Sequence, residues 1–556
     1  MRYLLFIGLF VIAPVMQAQT AQQPMIMPAA GDPGPSTWMF GQAYGNTTGA
    51  YNFGDLWYRA GQGLHFGIDL SMPCGTPLVA VANGTVQFVD DKGFGSMPHN
   101  IIIRHEAIGV TTLYGHLLQP PTVMPGQLVQ QGEVIGLSGD PDETCYSRPH
   151  LHFEVRSLDY SRTLNPVDLI DANWHSLALI GPYGFPLFQH DLQNPRRWVT
   201  LSDQPDVYFW GGVLNRYTTT YPASSERRPA PSPIAARDAP QLPPTATFTS
   251  RQLTSDGCCA LASWDAADPT RFYTVDGPAG GVASVFAWDA LSPASGGTRL
   301  QPAPRPYSSP HGIYTLEPFI NNTTKIKGPD FEVNVNTGGR VPTVNPANTA
   351  LLWAIRANVT VPGQQRPATS IYLSQLNGES AREIFSAPGA DARWLDNTRV
   401  LISIRDERRQ TRLLTYDTHT NTQTDYGTWS ELRGLSASPG GRYVSFYLAW
   451  QPNPADNGVY LMDTSAASEP SQMPWFGAWR WRDTDTLYYI PYQPGSSVHT
   501  LRLYDIGTGE DRALTDPSTT AFTVANGTWH ISADGTRVLY QDARDSNLYV
   551  LEELAQ

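Results

Sequence analysis

Two histidines one residue apart, His150 and His152 in the stretch PHLHFEV, are the first chemistry visible in this chain. Alternate residues of a strand project to one face. Both imidazoles then look the same way, while Leu151 and Phe153 face the opposite layer. Such a pair suits one metal ion held jointly, or one ligand beside one catalytic base. His65 and Asp69, in GLHFGIDL, are four apart, which in an extended segment also gives a common face. Gly67 between them permits a close backbone approach or a bend. His116, in LYGHLL, ends an apolar strand just after a glycine. Two neutral imidazoles and one carboxylate are a borderline donor set that suits Zn²⁺ and leaves a fourth position for water. Each piece alone is weak, because HxH and HxxxD both arise by accident in strands.

These side chains need a scaffold that brings them together. The stretches TPLVAVANGTVQFVD, NIIIRHE, VTTLYGHL and HLHFEVRS are strand-like in length and residue type, with turn signals between them. No long helical period intervenes, so the expectation is an antiparallel β domain.

Within one β domain, the order HxxxD, YGHL, HxH resembles the lysostaphin-like (LytM-type) zinc endopeptidases, which cut peptide bonds in bacterial cell walls. HFGIDLSMPCGTPLVAVANGTV resembles their first metal-binding segment, and NIIIRHEAIGVTTLYGHL the segment with the first catalytic histidine. PGQLVQQGEVIGLSG and PHLHFEVR resemble the closing turn and the second metal-and-catalysis segment. The resemblance covers roughly residues 60–170. It implies that His65, Asp69 and His152 are ligands of one Zn²⁺ and that His116 and His150 are the catalytic histidines. Histidine then fills the role of the glutamate base of the HExxH zinc proteases, a motif this chain lacks. The family has a small Gly/Ser/Thr-rich turn before PHLHF, whereas this chain has DPDETCYSRP. Cys74 follows the Asp69 segment closely, and both stretches are expected to flank the site. A Cys74–Cys145 disulfide is therefore predicted, with two free thiols as the alternative. The altered loop bears on substrate choice more than on catalysis.

The second half has another texture. YPASSERRPAPSPIAARDAPQLPPTATF reads as a Pro-stiffened linker. Beyond it SWDAADPTRFY, VNPANTALLWA, RWLDNTRVLIS, SASPGGRYVSF, WRDTDTLYYIP and SADGTRVLYQD share one pattern, a polar Asp/Asn/Gly turn followed by a β-rich strand. Units recur roughly 43–51 residues apart with one double gap, a period expected of propeller blades. An irregular blade is expected between Pro302 and Phe331. The repeats resemble TolB-type β-propellers, and a two-sheet sandwich is the alternative. The fold class predicted is all-β, an antiparallel metallopeptidase domain followed by a six- or seven-bladed propeller. The boundaries read as a signal peptide at 1–18, the peptidase at 37–175, an aromatic-rich extension at 176–222, a linker at 223–247 and the propeller at 248–556.

The extension tract NPRRWVTLSDQPDVYFWGGVLNRY is expected to pack the peptidase against the chain beyond it, with a binding surface as the alternative. His105 reads as a structural partner in its sheet, and His99 and Asn100 as residues bordering the groove. Cys258 and Cys259 read as small buried residues or a local disulfide. Arg2 and LLFIGLFVIAPVM, followed by small residues to Ala18, read as an export signal too short to span a membrane. Four cysteines are consistent with an oxidising compartment. A net charge of -13 with dispersed Arg and Lys argues against nucleic acid and anionic membrane as partners.

Together these features predict a secreted or cell-envelope zinc endopeptidase acting on peptidoglycan stem peptides or cross-bridges. The propeller would be a binding or positioning module for a protein or glycan ligand. Two alternatives stand beside it: a non-enzymatic scaffold working through the propeller, and a zinc amide hydrolase with a non-wall substrate.

Overall fold

The computed structural model describes residues 23–215 and 248–553, except 55, 182–186, 190, 192–193, 266–267, 278–282, 303–314, 321–322, 328–331, 339, 341, 348, 358–366 and 467–468. The expected signal peptide and linker lie outside the described residues, as does part of the stretch where an irregular blade was expected. The described chain is nearly all β, and its named sheets are antiparallel throughout. Among the described residues no helix is long and apolar enough to cross a membrane.

Among the described residues the first unit carries eleven strands: β1 (Met39–Gln42), β2 (Ile68–Ser71), β3 (Pro77–Val79), β4 (Gly84–Val89), β5 (Ile101–His105), β6 (Val110–Gly115), β7 (Leu128–Val129), β8 (Val134–Leu137), β9 (His150–Ser157), β10 (Arg162–Leu164) and β11 (Val207–Tyr208). Nine form one sheet in the order β1-β2-β9-β6-β5-β4-β7, with β10 on β9 and β11 on β10, while β3 and β8 pair separately. Strand β9 lies inside the sheet, paired with β2 on one edge and β6 on the other, and both of its faces are used. Leu151, Phe153 and Val155 are fully buried in the core with Ile68, Leu70 and Tyr114. Burying each such side chain stabilises the sheet by about 1.5–3 kcal/mol. The alternate residues, His150, His152, Glu154 and Arg156, take the other face. The extension adds to this unit through β11 and through Gln204, whose Oε1 accepts from Asn46 N at 2.8 Å.

The second unit has seven sheets among the described residues, six of four strands and one of three. The three-stranded sheet, Thr315–Ile320, Thr323–Lys327 and Glu332–Asn336, falls where the repeat was expected to be irregular. Strand Phe248–Gln252 pairs along the last strand, Leu548–Glu553, so the final sheet joins the beginning of the unit to its end. The recurrent polar turn has a local cause. In DNTR, Asp396 Oδ1 accepts from Thr398 N at 2.8 Å and Arg399 N at 2.7 Å, closing the turn before the strand. Arg399 then reaches the next sheet, donating to Gly441 O at 3.0 Å and Thr464 Oγ1 at 3.1 Å.

The two units are in contact. Arg196, within the extension tract, makes a fully buried two-pronged pair with Asp276, at 2.9 and 2.8 Å. Ser176 contacts Ser496 and His499, Asn526 donates to Val199 O, and Trp450 N donates to Pro35 O. Cys258 and Cys259 are buried and joined to each other.

Candidate metal centre

Strand register brings the predicted residues together. Asp69 on β2 lies opposite His152 on β9, and Gly115 at the end of β6 lies opposite His152 from the other side. Gly67 matters for the first pairing, since a Cβ there would sit 2.5 Å from Phe153 O and 2.8 Å from His152 Cε1. His65 precedes β2, held by an isolated bridge to Gly45. One donor atom each from His65, Asp69 and His152 lies within 4.8 Å of the others. Asp69 Oδ1 is 3.3 Å from His65 Nε2, 2.9 Å from His152 Nδ1 and 3.7 Å from His150 Nε2.

Both ligand-type histidines have their far nitrogens occupied. His65 Nδ1–H donates to Ala43 O at 2.7 Å, which turns Nε2 toward Asp69. His152 Nε2–H donates to Glu154 Oε1 at 3.1 Å, which leaves Nδ1 for the centre. Glu154 is fully buried and in turn clamped by Arg156, whose Nε donates to Oε2 at 2.7 Å and Nη2 to Oε1 at 3.1 Å. A carboxylate behind a histidine in this way fixes ring and tautomer for metal ligation. The donor set of two imidazoles and a carboxylate fits a borderline divalent cation.

His116 and His150 stand beside this cluster, ring centroids 4.8 Å apart, with His116 5.9 Å from His152. His150 Nδ1–H donates to Arg148 O at 2.6 Å. His116, at a positive φ of 60°, donates from Nδ1 to Met97 O. Gly115 permits this, because a Cβ at that position would lie 2.3 Å from Ser96 Cβ. Burial lowers the pKa of both rings, and for His116 the neighbouring His150 adds to the effect. Burial opposes charge on Asp69, yet the three surrounding imidazoles hold it well below the usual carboxylate range. Burial also opposes charge on His152, but Asp69 and Glu154 hold it up at about 9.

The predicted disulfide is present: Cys74 and Cys145 are bonded, with Cα atoms 5.8 Å apart. It ties the segment after β2 to the loop before β9. That loop is built on Asp140, whose carboxylate accepts from the backbone N–H groups of Asp142, Ser147 and Arg148. His105 is a sheet partner, bonded to Asn83 O and Thr112 Oγ1 at 2.9 Å each. His99 and Asn100 do not line the cavity over the metal cluster. Instead Asn100 donates to Asp91 O and Gly95 O, shaping the loop that presents Met97 to His116, and His99 pairs with Asp90. The residues the motifs did not reveal are Glu154 and Arg156. Their signal was the same two-residue period that marks His150 and His152.

The profile of peptidase family M23 matches residues 63–166, the segment that holds all five histidine and aspartate positions. This chain carries an M23 peptidase domain. The DD-carboxypeptidase/endopeptidase Mpg of Neisseria meningitidis serogroup B is 40% identical over 107 residues, covering 19% of this chain and 23% of that protein. Lysostaphin of Staphylococcus simulans is 30% identical over 131 residues, 23% of this chain and 26% of lysostaphin. The chain thus spans about a quarter of the length of these relatives. The solved structure of TolB from Acinetobacter baumannii aligns at 15% identity over 49% of this chain and 76% of TolB, with a TM-score of 0.27. The M23 domain is of a metallopeptidase kind, and its His-Asp-His cluster is suited to the metal ion that this implies.

Proposed function

We propose that the protein is an exported zinc endopeptidase that hydrolyses peptide bonds in peptidoglycan stem peptides or cross-bridges. The observation that carries this reading is the convergence of His65, Asp69 and His152 in one cluster with His116 and His150 alongside. The likeness to Mpg and lysostaphin supports a wall peptide as substrate. In this reading His65 Nε2, Asp69 and His152 Nδ1 hold the ion. Zinc, when bound, supplies Lewis acidity that polarises the scissile carbonyl and eases deprotonation of the attacking water.

The chain's own groups do the proton work. His150, with Nδ1 committed to Arg148 O, offers Nε2 as the base that takes the proton from water. Its lowered pKa keeps it neutral, and so able to accept, at pH 7. The His116–His150 pair passes that proton to the leaving amine. Whichever ring carries it donates a hydrogen bond to the oxyanion of the tetrahedral intermediate.

The second unit is read as a β-propeller of seven blades that binds or positions the substrate or a surface partner. Successive antiparallel sheets and the pairing of its first strand with its last support that architecture. The corresponding organisation is a signal peptide, the peptidase at 37–175, its extension, a linker, and the propeller from 248.

Two measurements on the purified full-length protein test the reading. Metal analysis is expected to give about one zinc per chain, lost in His152→Ala. Mass spectrometry of digested cell walls is expected to show new peptide termini, absent with His150→Ala. A parent protein with no zinc affinity, or walls left uncut, overturns it.

A further inference from the structure

The cavity over the His65, Asp69 and His152 cluster is not walled by the M23 domain alone. It measures about 720 Å³, and Arg405 and Arg409 of the second unit line it together with Trp57, Arg148 and the cluster itself. These two arginines flank one hairpin turn, between strands Arg399–Arg405 and Gln410–Asp417. The turn is built to hold them. Asp406 Oδ1 accepts from Arg408 N at 2.9 Å and Gln410 N at 2.8 Å, and Arg409 takes a positive φ of 64°. Arg409 is buried and fixed on three sides. Its Nε lies 2.6 Å from Glu431 Oε1, its carbonyl accepts from Glu431 N, and its Nη1 donates to Ser147 O at 3.4 Å. The last contact sets the hairpin directly on the loop that precedes His150.

The charge of this lining is one-sided. Among the described residues three guanidinium groups, Arg148, Arg405 and Arg409, border the cavity, and the one carboxylate lining it is Asp69 of the metal cluster; Glu431 pairs with Arg409 and Asp142 lies near Arg148. Arg148 lies over the half-exposed Trp57 ring at 4.7 Å, with Asp142 3.7 Å away, and so joins an apolar floor to the cationic side. Arginine offers planar, two-pronged donation that matches a carboxylate. Arg409 is buried, Arg405 half-buried and Arg148 exposed. Arg409 already pairs with Glu431 and Arg148 lies near Asp142, so a ligand carboxylate joins these partners, and its fit to the guanidinium groups acts on substrate choice.

We infer that the second unit completes the substrate site, and that Arg405 with Arg148 and Arg409 selects a peptide bearing a free carboxylate next to the bond to be cut. This rests on the proposed peptidase reading and sharpens it from wall peptides in general to acidic ones. The second unit is then a specificity wall as well as any more distant anchor.

The test uses the full-length protein and soluble stem-peptide fragments of peptidoglycan, either with free carboxylates or with these converted to primary amides. Equilibrium binding is measured by calorimetry for the parent, Arg405→Gln and Arg405→Lys, each first checked for a parent-like melting transition. The parent is expected to bind the free-carboxylate fragments at least tenfold more tightly than the amidated ones. Arg405→Gln is expected to cut that ratio severalfold, and Arg405→Lys to recover much of it. Equal binding of both fragment types by the parent, or an unchanged ratio in Arg405→Gln, overturns the inference whether or not the protein cleaves. Cleavage of cross-linked fragments is followed in parallel. A parent that keeps its charge preference but cuts nothing counts against the peptidase reading and leaves the cationic wall standing.

Discussion

Glu154 receives the Nε2–H of His152 at 3.1 Å from two positions further along the same strand. The strand period alone makes this contact available, because residues two apart share a face. One continuous row, His150, His152, Glu154 and Arg156, therefore carries the proposed proton-transfer group, the proposed ligand, the carboxylate that orients that ring, and the cation that neutralises the carboxylate. Each member is placed by the same pleat, and the opposite row, Leu151, Phe153 and Val155, pins the pleat by burial.

Replacing Glu154 by Gln is expected to weaken zinc binding about 10–100-fold while the fold persists. The amide has no charge with which to balance Arg156 or to draw the His152 proton. Competition with a chromogenic chelator measures the change directly. Unaltered zinc affinity in Glu154→Gln would falsify an orienting role for the carboxylate.

The Cys74–Cys145 bond closes a loop with a sequence separation of 71. Chain-entropy reasoning assigns such a closure about 4 kcal/mol of stability. Cys74→Ser/Cys145→Ser is thus expected to lower the urea midpoint of the M23 domain markedly. Zinc binding should weaken as well, since the bond ties the segment after Asp69 to the loop before His150. A double variant that unfolds at the parental urea concentration would show that the Asp140-centred hydrogen bonds alone hold this loop.

How far the sequence carried this structure can be read from its histidines. His65, Asp69, His116, His150 and His152 stood out as candidates because period-two alternation and local motifs act within a few residues, and the fold brings all five together. The Cys74–Cys145 pairing followed once the resemblance brought its two segments to one site. Asn100 was misplaced at the groove because its role is to shape a loop by backbone contacts that no residue pattern announces. Arg405 and Arg409 were invisible as site residues. They reach the cavity only because the second unit docks on the first, a relation between residues more than 200 positions apart that leaves no local periodicity. The recurring Asp turns were legible as repeats, whereas the unit's seven sheets emerged only from strand pairing.

Arg196 and Asp276 form a fully buried ion pair between the extension and the second unit. Removing one partner strands the other charge in the interior, at a cost of about 3–5 kcal/mol. Arg196→Met is accordingly expected to loosen the two units more than Arg196→Met/Asp276→Leu does. Limited proteolysis of the junction and thermal melting of both variants check this. If the single and double variants are equally stable, the pair does not act as a unit and the docking energy lies in the surrounding apolar contacts.

His499 gives the same interface a pH dependence. Its Nδ1 accepts from Val524 N at 3.1 Å, so Nε2 carries the proton that is donated to Ser176 Oγ at 3.2 Å. The Val524 bond requires the neutral ring, because a protonated Nδ1 cannot accept, whereas the Nε2–H bond to Ser176 survives protonation. Burial, reinforced by nearby His175, lowers its pKa to about 3 from an ordinary 6.5. The unfolded chain therefore binds more protons than the folded one between those two values, and stability falls as the pH drops below about 6.5. At pH 5 the loss from this residue comes to about 2 kcal/mol. His499→Gln retains an acceptor and a donor but does not titrate. Its melting temperature is expected to fall less steeply than the parent's between pH 7 and pH 5. Parallel melting curves for the two proteins across that range would mean that His499 does not carry the acid sensitivity of the junction.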